Sequence, residues 1–448
     1  MSVFKTYDIR GVWGQEIDET LAYRLGKALA RYVKAGTWLV GHDARLHSAE
    51  LYRAVCAGLL KEGAKPTGIG LASTPQLHFT QMEKKFEAGI MVTASHNPPQ
   101  YHGFKAFDSS GGSLSYEKGL MEVEAIVAGM AAEGAAPRPD SRKSFPEFDS
   151  LEAYVDFVAS HAPGLKFDGR IVVDVSNGSA GRVFGGLARR LGVDATLLNA
   201  EPDGRFPNHD PNPLKEESRR QAAEAVVAGG ARFGVVLDGD GDRILFIDEK
   251  GRGIENYFLS CLIAEELLAR TPGSAIVYDL ISSRVLPERI AELGGRPVVS
   301  RVGYTFLYDK MVAEGAAFGA ETSGHVYFKV TDRYYTESAA YALVVLLQLL
   351  AERGRPLSEL VEPLRGRYVQ SPEINVEVAD KAKAIAEVER RFAAGRIDRL
   401  DGVSISFDDY WFNVRASNTE PLLRLRLEAR TREVALARTA EIQELLAR

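Results

Sequence analysis

Three aspartates alternate with two glycines in Asp238-Gly239-Asp240-Gly241-Asp242, and Arg243 follows them. Two apolar, β-favouring runs flank the set, Phe233-Gly234-Val235-Val236-Leu237 before it and Ile244-Leu245-Phe246-Ile247 after it. Apolar runs of that length bounded by turn residues predict buried strands, and glycine lets the backbone reverse tightly between them. The segment is therefore expected to be a hairpin with an acidic tip. Alternate positions on such a loop can converge oxygen ligands on one hard divalent cation, whereas carboxylates packed this closely repel one another without one. Glu249 falls at the twelfth position counted from Asp238, as in an EF-hand, but the sixth position is Arg243 where that loop needs glycine. Strands rather than helices flank it, which also excludes the EF-hand. A solvated acidic turn is the plain alternative to a metal loop.

Elsewhere, short apolar strands alternate with amphipathic helical patterns, which predicts α/β layers with mostly parallel sheets. Three segments begin alike, with a β-rich run that ends in or near an aspartate: Trp38 to Asp43, Ile171 to Asp174 and Ala275 to Asp279. The spacing between them differs, so the repeat is one of fold and not of sequence. For 448 residues the length prior is roughly three domains. A polar, proline-rich connector at 134–149 and turn-rich breaks near Gly251 and Pro363 place boundaries at 1–145, 146–252, 253–366 and 367–448. A long helix is expected from about Glu337 to Arg353. The last segment has a strand at Ile374–Val378, further strands to Leu427 and a helix from Arg432, an α+β rhythm.

A formal charge of −6 argues against general nucleic-acid binding, so an anionic substrate has to be held by local Arg and Lys clusters. The two cysteines, Cys56 and Cys261, lie in helix-like apolar patterns and are expected to be buried in a reducing compartment. The start of the chain lacks the apolar core of a signal peptide, and the longest apolar stretch, Ala339 to Leu350, is too short to span a bilayer. A cytoplasmic protein with no membrane partner is expected. Oligomeric state is not legible.

Three more stretches carry chemistry. In Thr93-Ala94-Ser95-His96-Asn97-Pro98-Pro99, Ser95 follows the apolar run Ala88 to Val92. It reads either as a turn or helix cap or as a nucleophile or phosphate carrier. Eight scattered histidines offer no paired zinc-ligand spacing, which disfavours a zinc phosphatase. Gly319 to His325 places Glu321 and Ser323 where two polar groups could meet adjacent sugar hydroxyls, and it reads equally as a polar turn. Arg415-Ala416-Ser417-Asn418-Thr419-Glu420-Pro421, with Arg424 beyond, offers donors suited to a phosphate dianion; an exposed turn with a chance arginine is the alternative.

Taken in order, these loops resemble the α-D-phosphohexomutase superfamily, most closely its bacterial phosphomannomutase/phosphoglucomutase branch. The resemblance covers essentially the whole chain, including Phe4 to Gly11 and the continuation Tyr101-His102-Gly103-Phe104-Lys105. It implies three related α/β domains with mixed sheets plus a smaller C-terminal α+β domain around a central cleft. It also implies that Ser95 is a phosphoserine, which passes its phosphoryl group to a hexose 1-phosphate or 6-phosphate of mannose or glucose. Hexose 1,6-bisphosphate is then the intermediate and the activator. Phosphoserine carries about −1.5 to −2 charges at neutral pH, so a second phosphate needs cations beside it.

By the same resemblance Mg2+ is held by Asp238, Asp240, Asp242 and Ser95, and Arg243 adds a fixed cation. Lys105 is the candidate acid or base, His96 positions phosphate, and Arg10 screens charge or assists proton transfer. Tyr7, Glu321, Ser323 and His325 are expected to contact the phosphosugar. Arg415, Ser417, Asn418, Thr419 and Arg424 are expected to anchor the phosphate that is not transferred. Two positions depart from the branch: Tyr304 stands where a histidine is usual, and Leu280-Ile281 where a lysine is usual. Phosphoglucosamine mutase is the nearest alternative activity, and a sugar-bisphosphate-binding protein with impaired turnover is a more distant one.

Overall fold

The computed structural model describes residues 2–130, 145–332, 334–416 and 422–447. The chain forms two compact units, Met1–Glu255 with Ser323–Ser358, and Asn256–Thr322 with Glu359–Arg448. Most of the expected connector, including Gly134 to Lys143, lies outside the described residues.

The first unit opens with β1 (Ile9–Val12), β2 (Thr37–His42), β3 (Lys65–Leu71), β4 (Ala88–Val92) and β5 (Tyr101–Phe107). They form a sheet in the order β1-β5-β4-β2-β3, in which β4, β2 and β3 are parallel and the other two antiparallel. Trp38 and Val40 of β2 enter one core with Leu25 and Leu51, from the helices Glu19–Val33 and Ser48–Lys61. Leu39 enters another with Leu77 of the helix Thr74–Lys84. Both faces of the strand are thus covered, which is why it reads as a continuous apolar run and not as an alternating one.

The next sheet repeats this plan with β6 (Arg170–Asp174), β7 (Asp194–Leu198), β8 (Phe233–Leu237), β9 (Ile244–Asp248) and β10 (Gly253–Ile254), in the order β10-β9-β8-β6-β7. Here β8, β6 and β7 are parallel, and β8 and β9 pair as the expected antiparallel hairpin, Val235 facing Phe246. In the second unit β11 (Ala275–Asp279) lies between β12 (Arg296–Ser300) and β13 (Phe318–Ala320), all parallel. In each set the first parallel strand is central, the second is on one side and the third on the other. The three aspartates picked out of the sequence all stand at the end of that central strand. Asp43 accepts from the Arg45 amide at 3.0 Å and Asp174 from the Ser176 amide at 2.9 Å, while Asp279 accepts from Ser282 Oγ at 2.7 Å. Each ties down the first turn after its strand.

The chain returns to the first unit with β14 (Val326–Thr331) and β15 (Tyr334–Glu337), an antiparallel pair. The following helix runs Ala339–Arg353 and so starts two residues later than expected, because Glu337 ends β15 and the Ser338 side chain caps the Tyr341 amide at 3.0 Å. The C-terminal segment in the second unit is α+β, as expected. Its strands are β16 (Val369–Gln370), β17 (Ile374–Glu377), β18 (Arg396–Asp398), β19 (Val403–Ser406), β20 (Tyr410–Ala416) and β21 (Leu422–Ala429), all antiparallel, with helices Lys381–Arg391 and Arg432–Leu446. Cys56 and Cys261 are buried free thiols. No described helix is long and apolar enough to cross a membrane.

His78 lies buried in the helix Thr74–Lys84, its Nε2 3.0 Å from the Gly111 carbonyl, against the rings of Phe107 and Tyr334. Burial pulls its pKa down to about 4 from 6.5, only partly opposed by the Gly111 carbonyl. The unfolded chain therefore takes up a proton below pH 6.5 that the folded chain refuses until about pH 4. The stability this ring contributes above pH 6.5 is lost as pH falls through that window, about 2 kcal/mol of it by pH 5. Urea unfolding at pH 7.5 and pH 5 should show a smaller loss for His78→Gln than for the parent by that amount; equal losses would refute the assignment.

Candidate active site and metal centre

The acidic hairpin tip is fully buried: Asp238, Asp240 and Asp242 are all at 0% exposure. Its two glycines serve different ends. Gly241 has φ +69°, a conformation that side chains resist. At Gly239 a Cβ would meet the Ser95 carbonyl oxygen at 2.7 Å, so glycine there admits the serine loop.

Ser95 follows β4 with φ +49°, which costs a non-glycine residue about 1–2 kcal/mol and needs surrounding structure to hold it. Its Oγ donates to Asp238 Oδ2 at 2.6 Å and lies 3.4 Å from His96 Nδ1. The hydroxyl is thus committed to the acidic loop, not to a helix cap. Asp238 Oδ1 accepts from the amides of Asp242 and Arg243, at 3.1 and 3.2 Å.

Lys105, on β5, is the counter-charge. Its Nζ donates to Asp240 Oδ2 at 2.9 Å and to Asp242 Oδ2. Thr74 Oγ1 donates to Asp240 Oδ2 at 2.6 Å, and the Thr74 amide to the Asp240 carbonyl at 3.0 Å. The positive end of a helix is thereby set against that carboxylate. Burial, with Asp242 and Asp240 alongside, pushes the Asp238 carboxyl well above the usual carboxylate range. Burial acts on Asp240 in the same direction, but Lys105 and the Thr74 hydroxyl outweigh it and hold that group below the usual range.

Asp240 Oδ1 and Asp242 Oδ1 are buried without a hydrogen-bond partner. The carboxylates of all three aspartates offer ligand atoms within 4.8 Å of one another. Two orphaned carboxylate oxygens in an all-oxygen donor set fit a hard divalent cation such as Mg2+.

Arg243 donates from Nε to His325 Nε2 at 2.9 Å. An accepting Nε2 leaves the proton on Nδ1, which faces Glu337 Oε1 in a short contact. His325 is therefore packed against the metal loop in the first unit. Burial, together with Arg243, Arg10 and His325, holds His96 well below the usual imidazole value, so it is neutral at pH 7. Arg10, on β1, donates to both Asp8 oxygens at 3.0 Å, to the Ala94 carbonyl at 3.3 Å and to Asn97 Oδ1, at the foot of the serine loop. Tyr7 is half-buried in the turn before β1.

In the second unit Glu321 directly follows β13. Its Oε1 accepts from the Gly303 amide at 2.8 Å, and its carbonyl accepts from Asn256 Nδ2 at 2.5 Å. Asp279 secures the next residue, accepting from the Thr322 amide at 2.7 Å. Ser323 is half-buried and belongs to the first unit. Arg415 and Arg424 face each other across β20 and β21 and share Glu373, which leaves that pair with excess positive charge. Ser417, Asn418 and Thr419 lie outside the described residues. Both departing positions, Tyr304 at the start of a helix and Ile281, are buried.

Thr74 and Glu337 were not legible as site residues. Thr74 lies 166 residues from Asp240, and only the Ser-Thr-Pro helix start signalled that it occupies a helix N-terminus, while Glu337 meets His325 12 residues away only through the β14–β15 turn-back.

The described residues thus bring Ser95, Lys105, the three aspartates, Arg243, His325, His96 and Arg10 together in the first unit. Lys105→Met should strand two buried carboxylates and cost about 3–5 kcal/mol of stability in EDTA. Mg2+ should recover most of that loss in urea unfolding, and no recovery would count against a cation site at the triad.

Comparisons with known proteins bear on the family and the fold. Family models match four successive segments, described as phosphoglucomutase/phosphomannomutase alpha/beta/alpha domain I over residues 1–133, domain II over 148–251, domain III over 256–368 and the C-terminal domain over 373–445. A protein of Xanthomonas campestris pv. campestris (strain B100) described as phosphohexose mutases is 38% identical over 450 residues, covering 100% of this chain and 99% of its own. The phosphomannomutase of Salmonella montevideo is 37% identical over 456 residues, with the same coverage. The crystal structure of a phosphoglucomutase/phosphomannomutase family protein from Burkholderia thailandensis superposes with a TM-score of 0.87 at 29% identity, over 99% of this chain and 96% of that one. The chain belongs to the phosphoglucomutase/phosphomannomutase family of phosphohexomutase enzymes.

Proposed function

We propose that this enzyme interconverts the 1-phosphates and 6-phosphates of mannose, glucose or both, with Ser95 carrying the phosphoryl group and hexose 1,6-bisphosphate as the bound intermediate. The carrying observation is the 2.6 Å hydrogen bond from Ser95 Oγ to Asp238, which sets a nucleophilic hydroxyl on a loop of three buried carboxylates. Such a loop suits a cation that would neutralise charge on the transferring phosphoryl group and polarise it; Asp238, Asp240, Asp242 and a Ser95 phosphate oxygen would hold Mg2+.

In the first half-reaction a sugar hydroxyl oxygen bonds to phosphorus as the bond from phosphorus to Ser95 Oγ breaks, and the hydroxyl proton in net ends on Ser95 Oγ. In the second Ser95 Oγ bonds to the phosphorus of the other phosphate, the bond from that phosphorus to the sugar oxygen breaks, and the serine proton in net ends on the sugar oxygen. Lys105, an ammonium paired with two carboxylates, suits proton donation better than proton abstraction. Arg243 is held by His325 and Glu337, and so presents a fixed cation. Neutral His96 serves as a hydrogen-bonding group beside Ser95 Oγ, while Arg10 steadies the serine loop and screens charge.

Glu321 and Ser323 read the 3- and 4-hydroxyls, which glucose and mannose share, with Tyr7 and His325 as further contacts. Arg415, Arg424, Ser417, Asn418 and Thr419 hold the phosphate that stays. Free hexose 1,6-bisphosphate acts as activator, because enzyme that loses its intermediate is left unphosphorylated. The division at 1–145, 146–252, 253–366 and 367–448 assigns one such loop to each domain, and two buried free thiols fit a cytoplasmic enzyme.

A coupled assay with Mg2+ and catalytic hexose 1,6-bisphosphate should show turnover of mannose 1-phosphate or glucose 1-phosphate well above that of glucosamine 1-phosphate. Ser95→Ala should lose activity by a factor of about 10³ or more. Absence of turnover by protein shown by mass to carry phosphate on Ser95 would end this reading. Preference for glucosamine 1-phosphate would redirect it.

A further inference from the structure

Ser95 needs more than its own sequence to hold a left-handed backbone. Four carbonyls of its loop converge on one side chain. Arg45 Nη1 donates to the carbonyls of Pro98 at 2.8 Å and Tyr101 at 2.9 Å, and Nη2 to those of Ser95 at 2.8 Å and Asn97 at 2.5 Å. The Arg45 side chain is fully buried. Its own position is set twice over. Asp43 Oδ2 lies 3.2 Å from Nε, and Asp43 is in turn fixed by Ser48 Oγ at 2.6 Å and through its amide by the Val92 carbonyl at 3.0 Å. The Phe206 ring covers the guanidinium, its centroid 5.1 Å from the central carbon. The same ring, like the Ser95 carbonyl, abuts Gly239 of the acidic loop.

We propose that Arg45 is a positioning residue for phosphoryl transfer: by gathering the carbonyls of residues 95, 97, 98 and 101 on one planar fork, it sets the conformation that presents Ser95 Oγ to the acidic loop. The inference rests on Ser95 as the phosphoryl carrier. A planar five-donor group can serve four carbonyls from one direction. An ammonium, with three tetrahedral donors, cannot, so lysine keeps the charge and loses the clamp. Within the loop the amide of Ser95 is held by Thr93 Oγ1, that of Asn97 by the Ala94 carbonyl and that of Tyr101 by the Pro98 carbonyl. These amides report on whether the loop keeps its shape.

Full-length Arg45→Lys should keep a melting temperature close to that of the parent, with faster hydrogen exchange at the Ser95, Asn97 and Tyr101 amides and unchanged exchange elsewhere. In the coupled assay kcat should fall about 10- to 100-fold while KM for the phosphosugar stays put. A kcat within about twofold of the parent would overturn the proposal, as would exchange that rises across the whole chain alongside kcat loss. If Arg45→Lys does not fold, Phe206→Leu, which uncovers the guanidinium but leaves its hydrogen bonds, decides instead. Local exchange at the same amides and a lower kcat support the clamp, and parental values overturn it. If the parent enzyme turns over no hexose phosphate, the mutase reading falls, and the exchange measurement still decides whether Arg45 holds the loop.

Discussion

Three carboxylates removed from water at one hairpin tip are the constraint on which the first unit depends. Each buried charge costs several kcal/mol unless it is paired and hydrogen-bonded, and mutual repulsion adds to that. Lys105 reaches the tip from β5 of the neighbouring sheet, Thr74 from a helix start, and Ser95 from the loop after β4. All three are contributed by the first repeat to a loop of the second. The contacts that satisfy the tip and those that dock the two repeats are therefore the same set.

The repeat also explains where the chemistry lies. Ser95, Asp238 and Glu321 all follow the third parallel strand of their sets, on the strand's C-terminal side. In open α/β sheets that end gathers outward-pointing loops at the point where strand order reverses. The central strand of each set ends in an aspartate that braces its own first turn. Three unlike loops, bearing Ser95, the acidic triad and Glu321, thus occupy one topological position.

That regularity was partly legible. The hairpin at 233–247, the three strand-to-aspartate starts and the α+β rhythm of the last segment follow from short-range patterns, and the structure has them. The acidic triad was legible as well, because its members are close in sequence and have few other reasons to alternate. Arg45, Glu337 and Thr74 were not. Arg45 makes its contacts 50 to 56 residues away, and those contacts are to backbone carbonyls, which carry no side-chain signature. Glu337 was read as the start of a helix because helical apolar spacing begins just beyond it, whereas the Ser338 cap starts that helix two residues later than the pattern suggests.

The roles of the two histidines next to the site separate for the same long-range reason. Sequence places His96 beside the serine and His325 at the end of another loop, and both look like candidates to meet phosphate. In the folded chain His96 lies among Arg243, Arg10 and Lys105, and burial beside these cations keeps it neutral. A neutral ring adds no cationic charge beside Ser95, so the positive charge around it is that of Arg243, Arg10 and Lys105. His325 accepts a hydrogen bond from Arg243 Nε and donates one from Nδ1 to Glu337, an arrangement that fixes the guanidinium. Arg243 also lies 3.9 Å, through Nε, from Asp238 Oδ2 of the acidic loop. His325 between Arg243 and Glu337 thus anchors a guanidinium whose carboxylate neighbour is Asp238, the same group that accepts from Ser95 Oγ.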